Sequence, residues 1–336
     1  MTRRKTPGAP APLRMTPALR ATVRAFSGLR IAVWGDLILD RFTSGVIRRL
    51  SREAPVPIIE KESVHEVPGG GGNALMNLAA LGARASVYGL VGDDAAGVSL
   101  RAIFRAAGID ARHLHVAPRY ETCAKTRILA AALGAPRQQL ARLDEGGAYR
   151  GPLSTRLGRA LRRDANKFRA IVVSDYGYGA CEPEQFAAAP WPVITAIDSR
   201  WDFLKFRGAA TATPNETELF ESIGRPLREG ERADDFLDAA AAQFRAAAAL
   251  DTLLVTRGSR GSALYSGAAR HDVGVYGGDV ADVTGAGDTV IATFTLARAA
   301  GADWKTAQRL AAISAGLKVA KRGTATVSAA ELLAAT

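Results

Sequence analysis

Short apolar segments recur along this chain, and stretches with helical spacing lie between several of them. The first, Arg30–Gly35, stops at an aspartate, and the others are of similar length. Segments this short without a polar face are typical of strands that are buried on both sides. Their alternation with helices predicts an α/β fold, in which a mainly parallel sheet is covered by helices on both faces. The predicted strands are 30–35, 85–91, 169–174, 193–198, 209–213 and 252–256.

Two longer stretches, 41–66 and 114–142, interrupt this pattern because apolar and charged residues alternate within them. Such alternation predicts strands that have one face in water. We expect the two stretches to form a small antiparallel sheet that projects from the main domain as a lid. No internal repeat or low-complexity linker divides residues 31–336, so the sequence predicts one domain with this appendage.

The net charge is concentrated in a leader at the start of the chain. The sequence has 44 Lys+Arg and 33 Asp+Glu, a formal charge of +11. Seven of the basic residues and none of the acids lie in 1–30, which leaves 11 − 7 = +4 for 31–336. A nucleic-acid interface would carry its cations on the folded body, interleaved with aromatic side chains. We therefore expect no nucleic-acid partner.

The leader permits two interpretations. It is rich in Arg and free of acids, as organelle transit peptides are, or it is a partly disordered start followed by a short helix near Pro17–Phe26. The chain has 2 cysteines, which excludes a disulfide framework and favours a reducing, cytoplasmic location. No stretch of the sequence reads as a membrane span, and we expect no membrane partner.

The most specific motif is Asp-Val-Thr-Gly-Ala-Gly-Asp at 282–288, which precedes a helical stretch at 289–300. Glycines at the start of a helix let backbone N–H groups approach an anion, and the helix dipole adds to the attraction. The carboxylate of Asp288 would repel that anion unless a proton acceptor is needed beside it. Phosphoryl transfer to a hydroxyl group needs that combination. A glycine-rich turn capped by Asp288 is the simpler alternative.

Two segments in the second half of the chain suit a nucleotide. Asn215 and Glu218 follow a predicted strand three residues apart, so their amide and carboxylate share a helix face and could order a magnesium ion through its waters. The same spacing fits a helix N-cap with its capping box. The segment 256–261, with glycines at 258 and 261, could contact phosphates or simply turn the chain.

Near the start, Asp36 and Asp40 follow the first strand, and four glycines at 69–72 lead into Asn73 and a predicted helix. Short polar side chains beside bare glycine backbone suit sugar hydroxyl groups, which need both donors and acceptors. Taken alone, Asp40 fits a solvated loop acid equally well.

Together these segments resemble the PfkB (ribokinase-like) carbohydrate kinases over most of residues 31–330. The stretch 282–288 is similar to the C-terminal signature of that family, and 69–73 lies where its N-terminal signature is expected. The resemblance implies a three-layer α/β/α fold with a mainly parallel sheet and a β-sheet lid. It also implies ATP as the phosphoryl donor, Mg²⁺, a dependence on K⁺ that varies within the family, and commonly a homodimer formed through the lid.

The resemblance assigns a role to each matching position. It makes Asp288 the expected catalytic base, and it makes the backbone of Gly285, Ala286 and Gly287 the expected anion hole. The other expected sites are the sugar hydroxyl site at Asp40, Gly69, Gly70 and Asn73, the nucleotide site at Asn215, Glu218, Thr256, Gly258, Gly261, Lys321 and Gly323, magnesium at Asn215 and Glu218, and a monovalent cation at Asp282 and Thr284.

Within the family, the chain is similar to kinases that phosphorylate the anomeric hydroxyl of D-glycero-D-manno-heptose 7-phosphate, a step toward the lipopolysaccharide core. Segments such as 35–42, 51–57 and 321–327 carry this likeness. Tyr178 departs from it, because those enzymes usually have a lysine there, and Arg200 stands at the end of what is otherwise an Asp-Pro-Lys triplet. Another sugar or sugar phosphate is therefore the alternative substrate.

A 7-phosphate on the substrate needs cations away from the site of transfer. Lys125, Arg127 and Arg142 lie in the lid-like stretch and correspond to basic positions of those relatives, so one or two of them are expected to hold it. A solvated basic strand face is the competing interpretation. A few extra residues around 131–136 also distinguish this lid from the lids of the relatives.

Two interpretations from other classes of protein remain. Residues 69–74 match the G-x-G-x-x-A pattern of dinucleotide-binding folds, but an NAD-dependent oxidoreductase would leave 282–288 unexplained. A non-catalytic sugar or nucleotide sensor on a kinase fold is the other alternative, although Asp288 and its glycines are all present.

Overall fold

The computed structural model describes residues 13–132 and 135–336. The strands are β1 (Arg30–Gly35), β2 (Leu37–Leu50), β3 (Pro57–Gly70), β4 (Arg84–Val91), β5 (Asp110–Val116), β6 (Cys123–Ala132), β7 (Gln138–Glu145), β8 (Ala170–Asp175), β9 (Ile194–Ser199), β10 (Thr211–Ala212), β11 (Thr252–Thr256), β12 (Ser262–Ser266) and β13 (Ala269–Val273). The helices are α1 (Pro17–Arg24), α2 (Gly71–Ala80), α3 (Ala95–Ala106), α4 (Leu153–Asp164), α5 (Pro183–Ala187), α6 (Glu216–Ser222), α7 (Ala233–Ala248), α8 (Ala286–Ala299), α9 (Trp304–Val319) and α10 (Ala329–Ala334).

A nine-stranded sheet forms the body, with the order β13-β12-β11-β10-β9-β8-β1-β4-β5. The strands from β11 to β5 in this order pair in parallel, and only the β11–β12 and β12–β13 pairings are antiparallel. The predicted α/β fold is therefore confirmed. The antiparallel pair β12–β13 was not predicted, because its strands are short and mix polar with apolar residues.

The core divides into two layers, one on each face of the main sheet. Along β1, Ile31 and Val33 pack with helices α1, α2, α3, α8, α9 and α10, whereas Ala32 and Trp34 pack with α4, α5, α6 and α7. Both sets of side chains are fully buried. Since alternate residues of a strand point to opposite faces, a sheet buried on both sides explains why β1 is apolar at every one of these positions.

The lid is a four-stranded sheet with the order β3-β2-β6-β7. The first predicted stretch, 41–66, is shorter than the segment 37–70 that β2 and β3 span. The second, 114–142, begins too early, because residues 114–116 belong to β5 and pair with β4 at the edge of the main sheet. The predicted small sheet is present: β2–β3 and β6–β7 pair antiparallel, whereas the central pairing of β2 with β6 is parallel. Of the apparent insertion at 131–136, positions 133 and 134 lie outside the described residues.

Both long lid strands join the body at one place. A single residue, Asp36, separates β1 from β2, and β3 runs directly from Gly70 into α2 at Gly71. The Gly71 N–H donates to the Asp36 carbonyl (3.0 Å), and Leu37 pairs with Gly70 across the two strands. The base of the lid therefore lies against the carboxyl end of β1, the edge at which parallel α/β sheets bind ligands.

The short helix expected near Pro17–Phe26 is present as α1. The Thr16 side chain accepts from the Leu19 N–H at its N-terminus, and Pro17 occupies the first turn. Residues 1–12 of the basic leader lie outside the described part of the chain, so the two interpretations of the leader stay predictions. Among the described residues, the helices are all too short or too polar to cross a bilayer.

Candidate active site

The motif at 282–288 forms a turn that leads into α8. Gly285 precedes the helix with a φ of +77°, a left-handed conformation that favours glycine, and Asp288 lies buried in the first helical turn. A Cβ on Gly285 would collide with the side-chain amide of Asn73. Of the three residues expected to form the anion hole, Ala286 donates its N–H to the Val283 carbonyl (3.1 Å) within the turn.

Two side chains hold the Asp288 carboxylate. The Asn73 amide donates to one oxygen (2.7 Å), and the Tyr176 hydroxyl donates to the other (3.3 Å). Asn73 is fixed in turn, because its own oxygen accepts from Asn77 (3.1 Å). Burial raises the pKa of Asp288 to about 6, although these two hydrogen bonds oppose the rise. A carboxyl group with this pKa is a base at neutral pH and accepts a proton more readily than an ordinary aspartate.

Asp36 fixes the loop that carries Tyr176. Its carboxylate accepts backbone N–H bonds from Tyr176 (2.8 Å), Tyr178 (2.9 Å) and Ala180 (2.8 Å). Burial, together with the charge of Asp175, still raises the pKa of Asp36 to about 6. Asp36 is therefore a positioning residue, which places the Tyr176 hydroxyl on Asp288.

The residues expected to bind sugar hydroxyl groups come together beside Asp288. Asp40 lies buried on β2, and its charge contributes to the raised pKa of Asp288. A Cβ on Gly69 would collide with the Asp40 carboxylate, and a Cβ on Gly70 would lie 3.2 Å from the Tyr176 ring. These glycines thus bring the backbone of β3 close to the side chains of the site. The Asn73 amide nitrogen, in contrast, is bonded to Asp288.

Three cationic side chains lie on the lid next to this group. Arg127 donates to the Asp40 carboxylate (2.5 Å) and pairs across the sheet with Arg142. Lys125 lies opposite Asp40 in the β2–β6 register, with its ammonium 6.0 Å from the centre of the Tyr178 ring. Arg142 is exposed and forms an ion pair with Asp144. The lid thus presents a basic surface beside Asp40.

In the expected nucleotide site, the two interpretations of Asn215 and Glu218, a helix capping box and a site for hydrated magnesium, do not exclude each other. The two side chains form the capping box of α6, each accepting from the other's backbone N–H at 2.9 Å. Thr256 lies beside them through a parallel bridge between its backbone and that of Asn215. The Glu218 carboxylate is also 3.4 Å from Arg200.

The charges here fit a hydrated magnesium ion. Burial raises the pKa of Glu218, and burial with the charges of Asp288 and Glu218 raises that of Asp198 well above its usual range. Carboxylates that repel one another in this way are stabilised by a divalent cation. Within 13–132 and 135–336, no cluster of three or more acidic, His or Cys side chains is arranged as a dedicated metal site.

The remaining nucleotide positions are spread over two turns. Gly258 begins the turn 258–260 with a φ of +56°, whereas Gly261 has a packing role, because a Cβ there would collide with the Val273 carbonyl. Lys321 donates to the Thr326 carbonyl (2.7 Å) and forms an ion pair with Glu331. The Lys321 ammonium is thus already bonded within its own turn.

The turn at Asp282 is also internally bonded. The Asp282 carboxylate accepts from the N–H of Thr284 and from the N–H of Gly323, both at 2.9 Å. The Asp282 backbone carbonyl accepts from the ammonium of Lys318, also at 2.9 Å. The two residues expected to lie near a monovalent cation, Asp282 and Thr284, are therefore bonded to each other.

The roles of Asp36, Asp198 and Lys318 were not predicted from the sequence. Asp36 directly follows a strand, and this position was the available signal. Lys318 lies in a stretch that is otherwise apolar, and a charged residue inside such a helix face was its signal. Thr324 was not predicted as a site residue: its buried hydroxyl has no partner among the described residues, and its methyl group lies near Gly285.

Comparisons with known proteins agree with this geometry. A family model described as pfkB family carbohydrate kinase matches residues 30–138 and 196–331. The bifunctional protein HldE of Halorhodospira halophila is 39% identical over 331 residues, which cover 96% of this chain and 65% of that protein. The chain spans 64–66% of the length of the first curated relatives it matches.

Two solved structures share the fold. Arabidopsis thaliana ribokinase complexed with ribose and ATP has a TM-score of 0.67 at 18% identity, over 92% of this chain and 98% of that one. Phosphofructokinase-2 from Escherichia coli in complex with potassium has a TM-score of 0.72 at 16% identity, over the same shares. At these identities the likeness establishes the fold alone.

A parallel sheet between helices, with a β lid over a buried carboxylate at the start of a glycine-led helix, is the architecture of ribokinase-like sugar kinases. The family match and the relatives' identity agree with it. The chain belongs to the pfkB family of carbohydrate kinases, which are ATP-dependent enzymes.

The close approach at Gly285 can be tested with a matched pair of glycines. We expect Gly285→Ala to destabilise the fold by more than the ~1–2 kcal/mol that a left-handed alanine costs by itself, because the new Cβ would displace Asn73 from Asp288. Gly301, after α8, has a φ of +91° and open space around it, so Gly301→Ala should lose only the backbone contribution. Chemical denaturation measures both, and equal losses would contradict the predicted collision.

Proposed function

We propose that this kinase transfers the γ-phosphoryl group of ATP to the anomeric hydroxyl of D-glycero-D-manno-heptose 7-phosphate, forming the 1,7-bisphosphate on the route to the lipopolysaccharide core. The observation that carries the chemistry is the buried Asp288 carboxylate at the start of α8, with Asn73 and Tyr176 bonded to it. The sequence likeness and the basic lid beside Asp40 support the substrate.

In the proposed reaction, Asp288 accepts the proton of the anomeric hydroxyl as its oxygen attacks the γ-phosphorus. The new O–P bond forms while the bond to the β,γ-bridging oxygen breaks, and ADP leaves with that oxygen. The backbone of 285–287 and the dipole of α8 stabilise the negative charge on the transferring group. Ala286 contributes its N–H once the turn bond to Val283 is given up.

The nucleotide is proposed to lie against the start of α6 and the turn at Gly258, near Thr256 and Gly323. Asn215 and Glu218, with Asp198 beside them, would hold magnesium through water, and the bound ion would neutralise phosphate charge during transfer. Asp40, Gly69 and Gly70 would orient the sugar hydroxyl groups under the lid. Closure of the lid would exclude water, which strengthens these polar contacts.

The distal phosphate is proposed to bind the basic surface of the lid. Arg127 is held by Asp40, so it positions that carboxylate as well as adding charge. Lys125 lies near the Tyr178 ring, and Arg142 is paired with the exposed Asp144. Both are held more weakly than Arg127, and exchanging an exposed ion pair for a phosphate costs little free energy. The lid would thus supply a cation for the phosphate, in place of the lysine that those kinases usually have at the position of Tyr178.

We also propose that two copies associate through their lids and that the enzyme works in the cytoplasm. Leu50, Val56, Val64, Leu140 and Leu143 are large apolar side chains exposed on the lid strands and on the loop between β2 and β3, and exposed apolar side chains are available to an interface. Cys123 and Cys181 are free and buried, as expected in a reducing compartment.

The substrate is tested by magnesium-dependent ADP release with D-glycero-D-manno-heptose 7-phosphate, ribose, fructose and fructose 6-phosphate. We expect the heptose phosphate to be strongly preferred, and we expect Arg142→Ala to raise its KM by roughly tenfold or more, the scale of one lost charge-assisted phosphate contact.

Arg137→Ala is the matched control, because Arg137 is another exposed lid arginine, paired with Glu62, and its KM should stay unchanged. Turnover of another sugar alone would keep the kinase and reject the heptose substrate. An unchanged KM in Arg142→Ala would reject the role of Arg142 in holding the phosphate. ATP and sugar binding without turnover of any sugar would favour the sensor.

The base is tested by Asp288→Asn. We expect the variant to fold and bind ATP, with kcat reduced about a thousandfold or more, because a positioned base contributes on the order of 10²–10⁴. Asp303→Asn is the control: Asp303 caps α9 away from the site, and asparagine caps a helix equally well. Near-normal turnover in Asp288→Asn would refute the assignment.

The pH dependence follows from the pKa of Asp288. Since the base must be unprotonated, kcat/KM should rise with pH through about 6. Tyr176→Phe removes a hydrogen bond that favours the carboxylate, so its acid limb should move to higher pH. Tyr178→Phe, two residues on, should leave the limb in place. A limb that Tyr176→Phe does not move would show that another group titrates.

A further inference from the structure

A lysine lies fully buried beneath the turn that carries the proposed base. Lys318 belongs to the last turn of α9 and has no exposed surface. Its ammonium donates to the Asp282 carbonyl at 2.9 Å. The carboxylates of Asp282 and Asp288 are both close enough to act on its charge. A buried ammonium is strongly unfavourable without such compensation, so we ask what the charge of Lys318 does at this position.

The surroundings of Lys318 attract a cation. The carbonyl of Val319, at the end of α9, accepts from the N–H groups of Ala281 (2.7 Å) and Asp282 (3.0 Å). This contact docks the negative end of the α9 dipole on the same turn that holds the two carboxylates. A positive charge at this point therefore stabilises the turn 282–288, and with it the start of α8.

The oxygen atoms of Asp282 that could take part in a cation site already have hydrogen-bond donors, and one of these donors is the ammonium of Lys318. The resemblance to the family places a monovalent cation near Asp282 and Thr284, and phosphofructokinase-2 has been solved with potassium. A potassium ion is held by oxygen atoms that replace its water. Here both carboxylate oxygens of Asp282 accept from backbone N–H groups, and its carbonyl accepts from Lys318. Each oxygen is already bonded to a hydrogen-bond donor.

We propose that the ammonium of Lys318 takes the place of the monovalent cation beneath the 282–288 turn, so that this kinase works without K⁺. In this arrangement Lys318 is a positioning residue, which acts on the phosphoryl-transfer site by fixing the turn and the helix that begins there. The expected effect of Lys318 on kcat rests on the proposed function. Its effect on the stability of the turn does not, because that effect is independent of the substrate.

The test compares Lys318→Gln with the wild type in potassium, ammonium and choline chlorides at one ionic strength. Glutamine keeps an N–H donor for the Asp282 carbonyl but removes the charge. Melting temperature, ATP affinity and kcat are measured in each salt. Lys305→Gln, on the exposed part of the same helix, is the matched control and should behave as the wild type does.

We expect the wild type to show the same three values in all three salts. Lys318→Gln should melt at lower temperature and lose about tenfold or more in kcat in choline. Potassium or ammonium ions, which are similar in size, should restore part of both losses. Recovery specific to these ions would not occur if Lys318 were merely a packing residue.

Three results would overturn the inference. The first is potassium-specific activation or stabilisation of the wild type. The second is a Lys318→Gln variant as stable and active in choline as the wild type. The third is a loss in that variant which neither ion reverses.

If Lys318→Gln does not fold, the wild type's response to potassium still decides. If no sugar is turned over in any salt, the proposed function fails, while melting temperature and ATP affinity still test the cation.

Discussion

The hydrogen bond between Asn73 and Asp288 joins two helices that start at the same edge of the main sheet and lie 215 residues apart in the chain. It requires a glycine at 285, because any side chain there would occupy the position of the amide. It also requires that α2 begins beside the end of β1, which the short connections at Asp36 and Gly71 ensure. The position of the proposed base is therefore fixed by the packing of α2 against α8, and by Tyr176 on a third element.

Features that depend on local backbone were accessible from the sequence. Gly285 and the glycines at 69 and 70 stand where the chain passes close to a side chain, and the strands buried on both faces are apolar throughout. Asp40, Asn73 and the glycines near Asp288 were identified because they belong to compact motifs, whereas Tyr176, which donates to Asp288 from a third segment, was not. The roles of Asp36 and Lys318 depend instead on contacts between distant segments, Asp36 with 176–180 and Lys318 with Asp282. The spacing of residues within one segment cannot predict contacts between distant segments.

The lid shows the same limit. Alternating residues identified strands with a wet face, but they did not distinguish β5, at the edge of the main sheet, from β6 in the lid. Both contain polar residues, and side chains of both strands are partly or fully exposed. The parallel pairing of β2 with β6 places Lys125 opposite Asp40 and brings Arg127 onto that carboxylate, so the register of the lid determines which cations face the site.

Asp36 is the only residue between a strand of the body and a strand of the lid, and its carboxylate also holds the loop of Tyr176. In the proposed function, a tilt of the lid that rotates the backbone at this residue would also move the three N–H groups that its carboxylate binds. The lid is thus connected to the carboxylate of Asp288 in two ways, through Asp36 and Tyr176 and through α2 and Asn73. In the proposed function, movement of the lid during substrate entry would therefore also move the groups that hold the base.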